Sequence, residues 1–140
     1  MGERWLLGVA HPPKPTKEHA EDTQALLWLT YRSGFPRLEP YAFTDDSGWG
    51  CMLRSAQMVM AQGLQRHLLG RHWRPSSDPL VRRRHPEYLR ILALLRDEPG
   101  VASLFSIHNM CQVGMRYDKL PGEWYGPNTA ALVLRDLSRL

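Results

Sequence analysis

The stretch from Cys51 to Leu69 constrains this 140-residue chain more than any other. Met52, Leu53, Met58, Val59, Met60, Leu64, Leu68 and Leu69 crowd it, and Gly70 follows as a natural stop. Its first half is apolar on nearly every side, which predicts a buried central helix. The rest of the chain then has to wrap around that helix. The methionines read as core filling, since a flexible thioether packs irregular gaps well.

The remaining segments supply the wrapping. Thr16 to Arg32 contains no Gly or Pro and places Ala20, Thr23, Leu27 and Tyr31 on one face, so a helix is expected there. Gly34 and Pro36 end it, and residues 37–50 read as a loop. Pro86 to Glu98 forms a further helix, with Pro86 at its first position and Tyr88, Ile91, Leu92 and Leu95 on one stripe. Ser106 to Tyr117 and Pro127 to Leu140 complete the set. Period-two alternation is nearly absent, so few strands are expected. Several amphipathic helices with little sheet suggest the helical half of an α+β domain.

Composition removes whole classes of function. The net charge is +4, with 43% hydrophobic and 23% charged residues, which is globular and not a disordered tail. No run approaches the roughly 18 apolar residues of a membrane span. Two cysteines make no disulfide framework, and no C-x-x-C pair suggests zinc. The start, Met1 to Pro13, lacks the long apolar core of a secretion signal. A reducing cytoplasm with two free thiols is therefore expected. The basic run Arg82-Arg83-Arg84-His85, with Arg71 and Arg74 upstream, sits among Pro75, Ser76, Ser77, Asp78 and Pro79. It reads as a solvated loop with at most a weak phosphate or anionic-membrane contact, not as a nucleic-acid interface.

Asp45-Asp46-Ser47-Gly48-Trp49-Gly50-Cys51 is the most informative stretch. The first-turn N–H groups of a helix are unpaired and carry partial positive charge, so a thiolate placed there is stabilised. Gly48 and Gly50 allow a sharp turn and a close approach to substrate. Trp49 can wall a cleft. The two aspartates read as caps of the turn. On chemistry alone, Cys51 is equally a nucleophile and a small hydrophobe opening a helix. Cys111, between Met110 and Gln112, reads as core. Tyr31 reads as a core aromatic at a helix end.

Asp46 to Ser55 resembles the nucleophile segment of the autophagin family, the cysteine peptidases of autophagy. Trp5-Leu6-Leu7-Gly8 is similar to that family's opening strand. Leu27-Trp28-Leu29-Thr30-Tyr31-Arg32 resembles the helix bearing its cleft tyrosine. Gly122-Glu123-Trp124-Tyr125-Gly126-Pro127-Asn128-Thr129 resembles its cleft wall. The four segments occur in order, and the resemblance covers essentially the whole chain, from Trp5 to Leu137. The resemblance implies a papain-like α+β fold, with residues 1–140 forming the helical N-terminal part of one catalytic domain. It implies Cys51 as nucleophile, Tyr31 as a hydroxyl donor to the oxyanion, and Trp124 over the substrate's terminal glycine. Gly48, Trp49 and Gly50 would complete a cleft too narrow for any residue but glycine. The implied partners are a GABARAP-type ubiquitin-like modifier and its phosphatidylethanolamine conjugate, with peripheral membrane contact but no nucleic acid. No metal or organic cofactor is implied.

A thiol peptidase also needs a base. In the autophagin family it comes from an Asp-Pro-His segment, whereas the single Asp-Pro here is Asp78-Pro79, followed by Leu80. His67 lies sixteen residues along the helix from Cys51, roughly 24 Å at about 1.5 Å per residue. His108 reads as a packed histidine. The chain is therefore expected to be inactive alone, as part of a longer peptidase. A non-catalytic modifier-binding fragment or pseudoenzyme is the alternative.

Overall fold

A computed structural model describes residues 2–140; Met1, the first residue of the start discussed above, lies outside the described residues. The chain opens on an antiparallel hairpin of β1 (Arg4–Leu6) and β2 (Val9–His11), in which Trp5 faces Ala10. Leu7 and Gly8 both take positive φ, 49° and 81°, as a two-residue hairpin turn requires. The opening strand expected over residues 5–8 thus stops at Leu6 and turns back. Among the described residues these are the two named strands.

Helix α1 (Lys17–Gln24) is capped by Thr16, whose hydroxyl accepts from the His19 N–H at 3.1 Å. It does not continue to Arg32 as expected. From Leu27 the chain has no regular secondary structure. Tertiary partners outcompete helix propensity there. Gln65 donates to the Ala25 carbonyl at 3.1 Å, Leu29 enters the core, and the Arg32 backbone pairs with Asp46.

Helix α2 (Cys51–Leu68) runs through the centre, and Gly70 follows it at φ 88°. Leu53, Ala56, Gln57, Ala61 and Gln65 turn inward, while Cys51, Ser55 and Val59 face out. The helix is therefore buried on one side, not all round: Val59 is 69% exposed. The expected Arg loop contains a short helix, α3 (Pro79–Arg82), because the Asp78 carboxylate caps the Leu80 N–H at 2.8 Å. Helix α4 (Pro86–Leu94) starts on Pro86, as expected. It ends four residues before Glu98, leaving Asp97 free to turn inward. Helix α5 (Ile107–Gly114) is capped by Ser106 and followed by a 3-10 turn, Met115–Tyr117. Helix α6 (Pro127–Leu137) starts on its proline and ends three residues before Leu140, with Ser138 as its C-cap.

The core lies where α2 meets α4, α5 and α6. Leu53, Ile91, Ile107, Met110 and Val133 are wholly buried there. This packing holds the first turn of α2 at the surface while its inner face is anchored.

Candidate active site

Cys51 is the first residue of α2, and it is exposed. Gly50 precedes it as the N-cap and, lacking a side chain, makes no cap hydrogen bond. The helical ladder begins with the Arg54 N–H to the Gly50 carbonyl at 3.0 Å. The N–H groups of Cys51, Met52 and Leu53 therefore lie outside the ladder, on the end where a helix favours negative charge. The thiol opens into a depression of about 300 Å³ that it shares with Leu29, Tyr31, Ser55 and Met58.

Tyr31 reaches that depression from the irregular segment after α1. Its hydroxyl is held above the ordinary phenol range first by desolvation, then by its hydrogen bond to Cys51. Negative charge at Cys51 and Asp46 adds to this, and the backbone at Gly48 acts in the opposite direction. Tyr31 and Cys51 line one depression, from segments twenty residues apart in sequence.

The two glycines have different reasons to be glycine. Gly48 has φ 79°, where a side chain is strained, and the space beside it is open. Gly50 takes negative φ, but a Cβ there would run into the Asp46 side chain, 2.6 Å from its Cβ. Close packing onto Asp46 explains Gly50 without a substrate. Trp49, expected on a cleft wall, is 6% exposed and faces the core. Its ring lies 5.4 Å from that of Phe43, and its indole N–H donates to the Asp45 carbonyl at 3.2 Å. A large aromatic between two glycines anchors the turn. Trp124, unlike Trp49, is exposed, and its indole N–H donates to the Gly48 carbonyl at 2.6 Å.

Beneath the cysteine lies an ionic network that sequence reasoning missed. Asp46 is wholly buried. Its Oδ2 accepts from Arg54 Nε at 2.8 Å, and its Oδ1 accepts from Arg54 Nη2 at 3.2 Å and from the Arg32 backbone N–H at 2.7 Å. Arg54 also donates to Asp97 at 2.6 Å and to Gln57 at 3.1 Å, and Arg32 donates to Asp97 at 3.1 Å. Burial works against the Arg54 charge. The bonds and charges of Asp46 and Asp97 outweigh it, so the guanidinium stays above its ordinary range. Such a network compensates desolvation only while every member is present. Asp45 does cap the turn, accepting from the Ser47 N–H at 3.2 Å, but Asp46 is an ion-pair partner. One signal was available: Arg54 falls on the apolar face of the helix, beside Leu53 and Gln57, and a charge there demands a carboxylate.

The other candidates lie elsewhere. Cys111 is buried on α5, and burial pushes its thiol up to about 12 despite its bond with Tyr125. His108 is buried with its ring edge against Phe35, and its Nε2 lies 2.5 Å from the Pro36 carbonyl. Both line a separate depression beside Arg37 and Leu38. Among the described residues, no histidine lines the Cys51 depression and no group of three or more His, Cys, Asp or Glu could hold a metal. No helix among them is long and apolar enough to cross a membrane.

A solvent-facing cysteine at a helix start thus shares a depression with a tyrosine, and a thiol so placed can serve as a nucleophile. The family model for the Peptidase C54 catalytic domain matches residues 16–139, and the chain belongs to that family. Cysteine protease ATG4A of Mus musculus is 41% identical over 138 residues, covering 96% of this chain and 33% of its own length. Cysteine protease ATG4B of Xenopus laevis is also 41% identical, over 135 residues, with 96% and 34% covered. Cysteine protease ATG4A of Oryza sativa subsp. indica is 45% identical over 108 residues, with 76% and 22% covered. The chain thus spans about a third or less of these relatives' length.

Proposed function

We propose that this chain carries the nucleophile of an autophagy cysteine peptidase with a papain-like α+β fold. Its Cys51 would cleave after the C-terminal glycine of a ubiquitin-like modifier in the cytoplasm. The observation that carries the reading is the exposed Cys51 at the free start of α2, with Tyr31 lining the same depression. The family match and the names of the relatives supply the class of reaction.

The proposed chemistry is an acyl transfer through the cysteine. The Cys51 thiolate attacks the glycine carbonyl carbon, and the C=O electron pair moves to oxygen. The Cys51 backbone N–H and the Tyr31 hydroxyl donate to that oxyanion. Collapse breaks the C–N bond, and the amine leaves with a proton from an imidazole. The remaining thioester is hydrolysed by water. The leaving amine is a peptide nitrogen when a precursor is trimmed, and phosphatidylethanolamine when the lipid conjugate is released. Trp124, seated on the Gly48 carbonyl, would confine the approach to a residue without a side chain. Gly48 and Gly50 shape the turn beneath it.

The imidazole is the missing part, since no histidine lines the depression. In this reading it is supplied by residues outside these 140, in cis or in trans. The same observation favours a second reading, a modifier-binding fragment that does not cleave. A modifier bearing an alkyne in place of the scissile amide tests the nucleophile without a leaving amine. A thioether adduct mapped to Cys51 is expected. Tight binding with no adduct would support the second reading and sink the first.

A further inference from the structure

We propose that Asp46 is a positioning residue that sets the Tyr31 hydroxyl against the Cys51 thiol, by tying the backbone at Arg32 to the turn and helix that carry the cysteine. The inference rests on the reading in which Tyr31 and Cys51 form one site.

Asp46 touches both halves of that site without being part of it. Toward Tyr31, its carboxylate accepts from the Arg32 N–H at 2.7 Å and its own N–H donates to the Arg32 carbonyl at 3.2 Å. The residue next to Tyr31 is thus held from both sides. Toward Cys51, the Asp46 carbonyl accepts from the N–H of Trp49 at 3.2 Å and of Gly50 at 2.9 Å, which shapes the turn entering α2. Its carboxylate is also gripped by Arg54, one turn inside the same helix. One buried side chain therefore fixes the tyrosine segment and the cysteine helix in a common frame.

The tyrosine segment needs this tie. It has no helical or strand ladder of its own. Its next backbone bonds along the chain are from the N–H groups of Gly34 and Phe35 to the Thr44 carbonyl. Those lie three and four residues beyond Tyr31, too remote to fix a hydroxyl at the end of a long side chain. The glycine at position 50 fits the same account, because any Cβ there would displace Asp46. A misplacement of about 1 Å at a reacting group can cost on the order of 100-fold in rate.

The test uses thiol chemistry, which needs neither a base nor a modifier, so a chain that cleaves nothing still answers it. Cys51 alkylation by iodoacetamide would be followed by mass spectrometry from pH 5 to 9. Alkylation of buried Cys111 in the same sample reports unfolding. Tyr31→Phe should slow Cys51 alkylation at pH 7 by on the order of threefold to tenfold, because a charge-assisted donor is lost, and displace the rate profile toward higher pH. Asp46→Ala should do the same in the parent chain and add almost nothing on the Tyr31→Phe background. Asp46→Asn, which keeps an oxygen for the Arg32 N–H, should fall between Asp46→Ala and the parent. Equal slowing by Asp46→Ala on both backgrounds would overturn the proposal. So would no effect of Tyr31→Phe, or faster alkylation in both Asp46 variants, which would mark a purely electrostatic role. If Asp46→Ala exposes Cys111, Asp46→Asn carries the comparison. A slowing that vanishes on the Tyr31→Phe background supports the proposal, and one that persists, or none at all, overturns it.

Discussion

Trp124 donates its indole N–H to the Gly48 carbonyl across 76 residues of sequence, at 2.6 Å. The loop before α6 is thereby pinned on the turn that leads into Cys51. The ring itself is 74% exposed, so it contributes little to the core. Trp124→Phe and Trp124→Ala should each change stability by no more than about 1.5 kcal/mol, the net worth of one hydrogen bond. Thermal melting checks this; a loss of several kcal/mol would make Trp124 a structural residue and remove it from the cleft.

The two cysteines should differ sharply in reactivity. Cys51 is exposed, while Cys111 is buried with its thiol pushed up to about 12. Iodoacetamide at pH 7 should modify Cys51 faster by on the order of 100-fold or more, since only the thiolate reacts. Peptide mapping that found equal rates would contradict the placement of both thiols.

Cys111 also sets a pH dependence. Its folded pKa is raised by burial from an ordinary 9.0 to about 12. Between those values the unfolded chain has lost a proton that the folded chain retains. Stability from this group is therefore fully present below about pH 9 and falls as pH rises toward 12. The slope approaches about 1.4 kcal/mol per pH unit. Melting from pH 8 to 10.5 should show the fall, and Cys111→Ala should flatten it. Parallel curves for the two chains would refute the assignment.

The network beneath the site predicts an unusual cost for a single charge. Arg54→Met leaves Asp46 and Asp97 buried without their shared partner. It should destabilise by about 3–5 kcal/mol. Arg96→Met, at a solvent-exposed pair with Glu98, should cost under about 1 kcal/mol. Urea unfolding of both variants checks the contrast.

The glycines before Cys51 should rank by packing. Gly50→Ala must push the Asp46 side chain away, whereas Gly48→Ala meets open space and suffers only backbone strain. The strain alone is worth about 1–2 kcal/mol. Gly50→Ala should therefore be the more damaging, both in melting temperature and in Cys51 alkylation rate. The reverse order would contradict the account of the turn.

What could be read from the sequence divides along a physical line. Helices with an apolar stripe and a terminal signal were legible: α2 with Gly70, α4 on Pro86, α5 on Ser106 and α6 on Pro127. Each depends on local periodicity and capping. The segment from Leu27 to Arg32 was not legible, because its conformation is set by Gln65 and Asp46, both distant in sequence. Trp49 and Trp124 could not be told apart for a similar reason. Each lies within two residues of a glycine on either side, and only tertiary packing sends one inward and leaves the other on the surface. The motif around Cys51 drew attention to the cysteine and the glycines. It hid Asp46, whose role appears only once Arg54 is seen turned inward.

The most direct test of the central claim is cleavage of a ubiquitin-like modifier precursor, read as a gel shift. The assay compares residues 1–140 alone, the same chain joined to the C-terminal portion of a C54 relative, and the joined protein carrying Cys51→Ser. The account predicts no turnover by the chain alone, because general acid–base catalysis contributes about 10²–10⁴-fold and no histidine lines the Cys51 depression. It predicts cleavage after the terminal glycine in the joined protein and none with Cys51→Ser. Robust cleavage by residues 1–140 alone would contradict the placement of the base and make His108 the first residue to substitute. Cleavage that survives Cys51→Ser would contradict the nucleophile itself.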